Sequence, residues 1–139
     1  MFLVQLIYAS RGTEGLTDND IEQITEAARR NNQALFVSGL LCYGNGSFLQ
    51  CLEGSRSSVN RIYHKILRDD RHDSVVLLDY REITARQFPA WTMGYIPEAE
   101  LGEAVNLRFS GNPEFDPFHM NGEGCHEMML YLRDLVGMN

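Results

Sequence analysis

Gly44-Asn45-Gly46, set between two runs of β-forming residues, constrains the fold of this chain more than any other feature. Glycines permit the positive φ angles that a tight hairpin needs, so residues 39–43 and 47–53 read as antiparallel neighbours. Alternation then places Phe48, Gln50 and Leu52 on one face of the second of these strands. The other elements order themselves around the hairpin. Residues 2–8 alternate as a strand, with Phe2, Val4, Leu6 and Tyr8 on one face and Leu3, Gln5 and Ile7 on the other. After a loop at 11–15, Thr17 opens a helix with Asp20 as capping-box partner; Ile21, Ile24, Ala27 and Ala28 form its apolar stripe, and Asn31-Asn32 lies near its end. Gly54 closes the third strand and serines 55, 57 and 58 offer caps for a second amphipathic helix on Val59, Ile62, Tyr63, Ile66 and Leu67. A polar loop at 69–73 leads to a β-rich stretch at 74–83. Pro89 closes a further loop, and residues 91–96 read as a last short strand bounded by Pro97.

The order is β-α-β-β-α-β-β, and each helix has one apolar stripe to bury. Both must therefore cover one face of a mixed sheet. The expected class is α+β: a ferredoxin-like sandwich, a five-stranded mixed sheet with two helices on one face. Residues 1–97 form this unit and residues 98–139 a C-terminal extension of two helices. The first, at 98–109, is weakly patterned on Leu101, Val105 and Phe109. A loop at 110–124 follows, and then a helix carrying Cys125, Met128, Met129, Leu132, Leu135 and Val136. Its apolar face is expected to pack on the bare side of the sheet or on another subunit.

A net charge of −7 repels phosphate backbones and anionic lipid, so neither nucleic acid nor a membrane is an expected partner. No stretch approaches the roughly 20 apolar residues of a membrane span, and the first residues lack a basic leader, so a cytoplasmic location is expected. Cys42, Cys51 and Cys125 are odd in number, form no CxxC pair and sit among apolar residues. They read as reduced core thiols, and no metal site is expected.

Polar residues on apolar faces mark the candidate site. Gln50 points with Phe48 and Leu52, and Tyr8 ends the Phe2/Val4/Leu6 face. Each alone reads as a structural hydrogen-bonding group. Ile24 on one helix and Ile66 on the other, with Asn31-Asn32 beyond the first and Lys65, Asp69 and His72 about the second, would hold a flat ring with polar edges. The same residues also suit an ordinary core and helix terminus.

Six segments together resemble the BLUF family of flavin-binding blue-light sensors over about residues 2–97. They are Leu6-Ile7-Tyr8-Ala9-Ser10, Arg30-Asn31-Asn32, Gly39-Leu40-Leu41-Cys42-Tyr43, Phe48-Leu49-Gln50-Cys51-Leu52-Glu53-Gly54, Asp69-Asp70-Arg71-His72 and Phe88-Pro89-Ala90-Trp91-Thr92-Met93. The extension is similar to that of the short family members without an output enzyme. The resemblance implies non-covalent FAD between the two helices and no catalytic activity. Tyr8 and Gln50 would be the photoactive pair, with Gln50 bridging the phenol and the N5/O4 edge of the ring. Asn32 would hold the O4/N3 edge, Arg71 the O2 side, and Asn31 would help to fix the cofactor. Ile24 and Ile66 would sandwich the ring, Lys65 would lie near the phosphates, and Asp69 and His72 would complete the pocket. Trp91 and Met93 would relay the change outward through the last strand and the helices after it. A homodimer or larger ring, and a signalling protein bound in a light-dependent way, are the implied partners. Phe36-Val37-Ser38-Gly39 departs from the usual Gly-Ile-Thr-Gly, Ala28 lacks a hydroxyl common in relatives, and Lys65 stands where arginine is frequent. Two other readings stay open: an acylphosphatase-like hydrolase, supported by Arg11 in a glycine-containing loop, and an interaction module without ligand.

Overall fold

Asn45 and Gly46 both take positive φ, 48° and 72°, the pair of left-handed residues that a type I′ turn requires. They join β2 (Ser38–Gly44) to β3 (Ser47–Ser55), with Tyr43 opposite Phe48 and Leu41 opposite Gln50. The structure is a computed structural model describing residues 2–89 and 92–136. Its remaining elements are β1 (Leu3–Gly12), α1 (Asp18–Ala34), α2 (Arg56–Leu67), β4 (His72–Ile83), β5 (Gly94–Ile96), α3 (Glu103–Phe109) and α4 (Gly122–Leu135). The strands form one sheet in the order β4-β1-β3-β2-β5, antiparallel except for the parallel pair β2–β5. This is the expected ferredoxin-like α+β arrangement with an added strand.

Thr17 caps α1 through the reciprocal box with Asp20, and the Ser55 hydroxyl caps α2 by accepting from the Ser58 amide. Both helices bury their stripes on one face of the sheet, where Ile21, Val59 and Ile62 join Val4, Leu6, Tyr8, Leu41, Phe48 and Leu52. The opposite face is covered by α4, whose Cys125, Met128, Met129 and Leu132 are fully buried against Ile7, Leu40, Cys42, Leu49 and Cys51. Burial of each such large side chain contributes roughly 1.5–3 kcal/mol. Of the two positions open to α4, the structure has the intramolecular one. The Met128-Met129 face is therefore not free to receive a partner. The three thiols lie in this second core as free cysteines; burial raises all three, Cys125 to about 12.

Several boundaries differ from the sequence expectation, each for a local reason. The helix expected at 98–109 is split into a 3₁₀ turn, Glu98–Glu100, and α3. Leu101 leaves the helical path to enter the core, and the Asn106 side chain donates to the carbonyls of Leu101 and Gly102, both at 2.9 Å. The loop expected at 110–124 contains a 3₁₀ turn, Pro117–His119, and α4 begins inside it, capped by Asn121. The strand expected at 91–96 is reduced to Gly94–Ile96. Upstream, the carbonyls of Thr92 and Met93 accept from the α1 side chains Asn32 (2.7 Å) and Arg29 (3.1 Å) rather than from the sheet. Met93 thus precedes the strand, while Trp91 lies outside the described residues. His72, expected in a loop, is the first residue of β4. That strand is irregular against β1 between Ile7 and Tyr8 and again between Ala9 and Arg11.

Gly39 and Phe36 make opposite demands on the backbone around β2. A Cβ on Gly39 would lie 1.9 Å from the Cys51 carbonyl oxygen, so no side chain fits there. Phe36 has φ of 56° and a ring 81% exposed, so it bears the cost of a left-handed residue without packing in return. Gly39→Ala is expected to lower stability by roughly 1–3 kcal/mol. Phe36→Gly is expected to raise it by roughly 0.5–1 kcal/mol, because only glycine takes this φ freely. Urea midpoints of the two variants against the parent check both signs.

Candidate functional site between α1 and α2

Tyr8 on β1 and Gln50 on β3 are direct cross-strand partners on the helix-covered face. Both are almost fully buried, and the Tyr8 hydroxyl donates to Gln50 Oε1. The Gln50 amide in turn donates from Nε2 to Met93 Sδ at 3.4 Å. Tyr8 therefore meets an acceptor, Gln50 is bonded at both ends, and Met93 is the outer member of a three-residue chain.

This chain opens on a cleft of about 720 Å³, part of it open to solvent, bounded by α1, α2 and the sheet. Tyr8, Ile24, Asn31, Asn32, Gln50, Lys65, Ile66, Asp69, Arg71 and His72 all line it. Every residue singled out above as cofactor-binding is thus in one place. Leu41, Phe48 and Ile62 also contribute. Leu41 carried no signal of its own, but its register opposite Gln50 follows once the hairpin is fixed.

The polar groups are held before any ligand is considered. Arg71 donates from Nε and Nη2 to the Asp69 carboxylate, with the shortest contact 2.6 Å. This pairing holds the Asp69 carboxyl below its usual range and raises Arg71. His72 is fixed on both sides: Nε2 lies 2.6 Å from the Ile66 carbonyl oxygen and Nδ1 lies 2.7 Å from Ser10 Oγ. Burial pushes the Tyr8 phenol well above its ordinary range, with Tyr63 and Asp69 adding smaller pushes in the same direction. One polar atom is left over. Asn32 Nδ2 is occupied by Thr92, but its Oδ1 is buried without a hydrogen-bond partner. Such an atom calls for a donor from outside the protein.

A second polar cluster, on the other face of the sheet, had not been anticipated. Glu53 is fully buried and accepts from Gln5 Nε2 (2.8 Å) and from the backbone amides of Gln87 and Phe88 (2.9 Å each). His126 belongs to this cluster: its Nε2 lies 2.5 Å from Gln87 Oε1. Gln5 on the otherwise apolar Leu3/Ile7 face was the available signal, of the same kind as Gln50 on its own strand.

The fold and the cleft define an α+β protein built to hold a flat, polar-edged ligand between two helices. Comparison with known families gives the class directly: residues 3–94 match the model of BLUF, sensors of blue-light using FAD. The chain belongs to the BLUF family. It is 38% identical over 100 residues to the photoactivated adenylate cyclase subunit beta of Euglena longa, a match covering 71% of this chain and 12% of that protein. It is 35% identical over 86 residues to the blue light- and temperature-regulated antirepressor BluF of Escherichia coli, covering 62% of this chain and 21% of that one. The chain thus spans a small part of these curated relatives. Two solved structures match nearly end to end: the BLUF protein BlrB in its dark state (30% identity, TM-score 0.82, 97% of each chain) and BlsA in its ground state (30%, TM-score 0.84, 99% of this chain and 89% of that one).

FAD is the cofactor of the family, and the cleft suits it. The unpartnered Asn32 Oδ1 meets the need of a ring edge that carries an N–H, and the isoleucines give apolar walls. Among the described residues no helix is long and apolar enough to cross a membrane.

The raised Tyr8 phenol has a consequence at alkaline pH. In the unfolded chain the phenol ionises near pH 10, while in the folded chain it keeps its proton to higher pH. Its contribution to stability is full below about pH 10 and is lost as pH rises toward the folded value. Between pH 8 and pH 11 the urea midpoint of the parent is expected to fall further than that of Tyr8→Phe; equal falls would show that the phenol is not the group involved.

Proposed function

We propose that this protein is a blue-light photoreceptor in which Tyr8 and Gln50 are the photoactive pair. The observation that carries this reading is the buried Tyr8–Gln50 hydrogen bond at the wall of a cleft suited to FAD. Bound FAD supplies the absorption of blue light and, once excited, an acceptor for an electron. Tyr8 offers a protonated phenol whose proton has one route, to the Gln50 amide. A carboxamide carries a donor and an acceptor on one carbon, so rotating or tautomerising Gln50 reverses which of them Tyr8 meets. Met93, bonded to the same amide, then faces a different partner, and the change leaves the cleft on its side.

The remaining lining residues fall into supporting roles. Asn32 and Asn31 would hold the polar edge of the ring, Ile24 and Ile66 its faces, and Arg71, kept in place by Asp69, the O2 side. Lys65 would serve the phosphates and His72 would complete the pocket. Residues 1–97 act as the flavin-binding unit and residues 98–139 as the extension that carries the signal to a partner protein in the cytoplasm. The protein acts as a sensor rather than an enzyme: the acylphosphatase-like reading needed Arg11 at an anion site, whereas its guanidinium lies 4.3 Å from the Phe118 ring centroid. With the core face of α4 occupied, a homo-oligomer or partner contact uses other surfaces of the extension.

Tyr8→Phe and Gln50→Leu are expected to keep bound FAD while losing the reversible red shift of its absorption in blue light. Normal photoswitching in either variant would overturn the assignment. Asn32→Ala is expected to weaken FAD binding roughly tenfold, the effect of losing one buried hydrogen bond, as read by flavin fluorescence titration.

A further inference from the structure

The segment joining β4 to β5 touches both faces of the sheet. At one end, the carbonyls of Thr92 and Met93 are held by Asn32 and Arg29 of α1, and Met93 Sδ meets Gln50. At the other end, Gln87 is gripped from four directions. Its amide nitrogen donates to Glu53, and its side-chain oxygen accepts from Gln5 Nε2 (2.9 Å) and meets His126 Nε2 (2.5 Å). Its carbonyl accepts from Arg133 Nη1 at 2.8 Å. Gln5, Glu53 and Gln87 belong to the sheet and its connection; His126 and Arg133 belong to α4.

The remaining contacts of α4 are of a different kind. Cys125, Met128, Met129 and Leu132 pack against strands, and apolar contacts of unbranched methionine tolerate small displacements by repacking. Hydrogen bonds weaken steeply with distance and angle. A sub-ångström shift of Gln87 would therefore leave the apolar seat of α4 intact while disturbing its bonds to His126 and Arg133. The Glu53 carboxyl sharpens this response, because its donors are supplied by Gln5, Gln87 and Phe88 together and its burial leaves no water to replace a lost one.

We propose that the Glu53–Gln87–His126/Arg133 clasp is the coupling element between the flavin cleft and α4, with Gln87 and His126 as positioning residues. The proposal rests on the photoreceptor reading and specifies the side chains that carry its signal. In it, rearrangement at Gln50 and Met93 displaces the connection, Gln87 loses His126, and α4 loosens on the sheet without losing its apolar seat.

The test compares the full-length FAD-bound protein with Gln87→Met, which keeps the backbone bonds and the approximate volume, and with His126→Leu, which breaks the same contact from the other side. Met128→Leu, within the apolar seat, is the control. Flavin absorbance and hydrogen exchange of residues 122–135 are measured in the dark and under blue light. Both clasp variants are expected to retain the red shift, to exchange roughly five- to tenfold faster over α4 in the dark, and to lose the light-dependent increase that the parent and Met128→Leu show. A full light-dependent increase in both clasp variants would overturn the clasp while leaving the photoreceptor reading standing. So would a parent whose absorption shifts while α4 exchange stays constant. Absence of the red shift in the parent would overturn the photoreceptor reading itself and the clasp with it.

Discussion

The pairing of β1 with β3 is the interaction on which everything else in this molecule rests. These strands lie side by side in the middle of the sheet and are buried on both faces, by α1 and α2 on one side and by α4 on the other. Their unbroken antiparallel register, from Leu3 opposite Ser55 to Arg11 opposite Ser47, places Tyr8 against Gln50 on one face and Gln5 against Glu53 on the other. Because side chains alternate, a slip of one residue would exchange these pairs between the two layers and destroy both polar sites at once. The hairpin turn at Asn45-Gly46 and the close approach of Gly39 to the Cys51 carbonyl fix β3 against β2, and the Gly12 amide, donating to the Gly46 carbonyl at 2.9 Å, ties β1 to the same turn.

Two kinds of polar residue are thus embedded in an apolar centre, and they are satisfied differently. On the α4 side the Glu53 cluster draws its donors from the protein, apart from an unpaired Gln5 Oε1. On the helix side Tyr8 donates to Gln50 and Gln50 to Met93, but Asn32, which lines the cleft, keeps a buried acceptor without a partner. The first arrangement ties parts of the protein to one another, and the second leaves a wall that a cofactor completes. Between them runs the β4–β5 connection, anchored to both.

Much of this could be read from the chain. The periods of two and 3.6 residues, the Thr17–Asp20 box and the glycine-asparagine turn identified the elements in order, because each is a local property. Gln50 and Tyr8 stood out as polar residues on apolar faces, and family motifs supplied the cofactor that physical patterning alone left open. What escaped was non-local. Nothing in residues 84–89 shows that Gln87 will meet His126, since the two are joined only when α4 closes over the sheet. The break at Leu101 arises because its side chain is wanted in the core, against the pull of the surrounding helical pattern. The last strand is shorter than its pattern predicts because side chains of α1 take the carbonyls that a strand would have used. Phe36 shows the converse: its left-handed backbone is imposed by the turn into β2, in opposition to the residue's own preference.

The placement of the three thiols acquires meaning once the cleft is assigned to a flavin. An illuminated flavin is a source of oxidising equivalents, and the thiolate is the form of cysteine most vulnerable to them. Cys42, Cys51 and Cys125 lie in the layer beyond the sheet from the cleft, free of solvent and with their ionisation suppressed by burial. The sheet of paired backbone and the side chains of its helix-covered face stand between sulfur and cleft. The same packing that fastens α4 to the domain thereby keeps all three sulfurs buried on the face of the sheet away from the cleft.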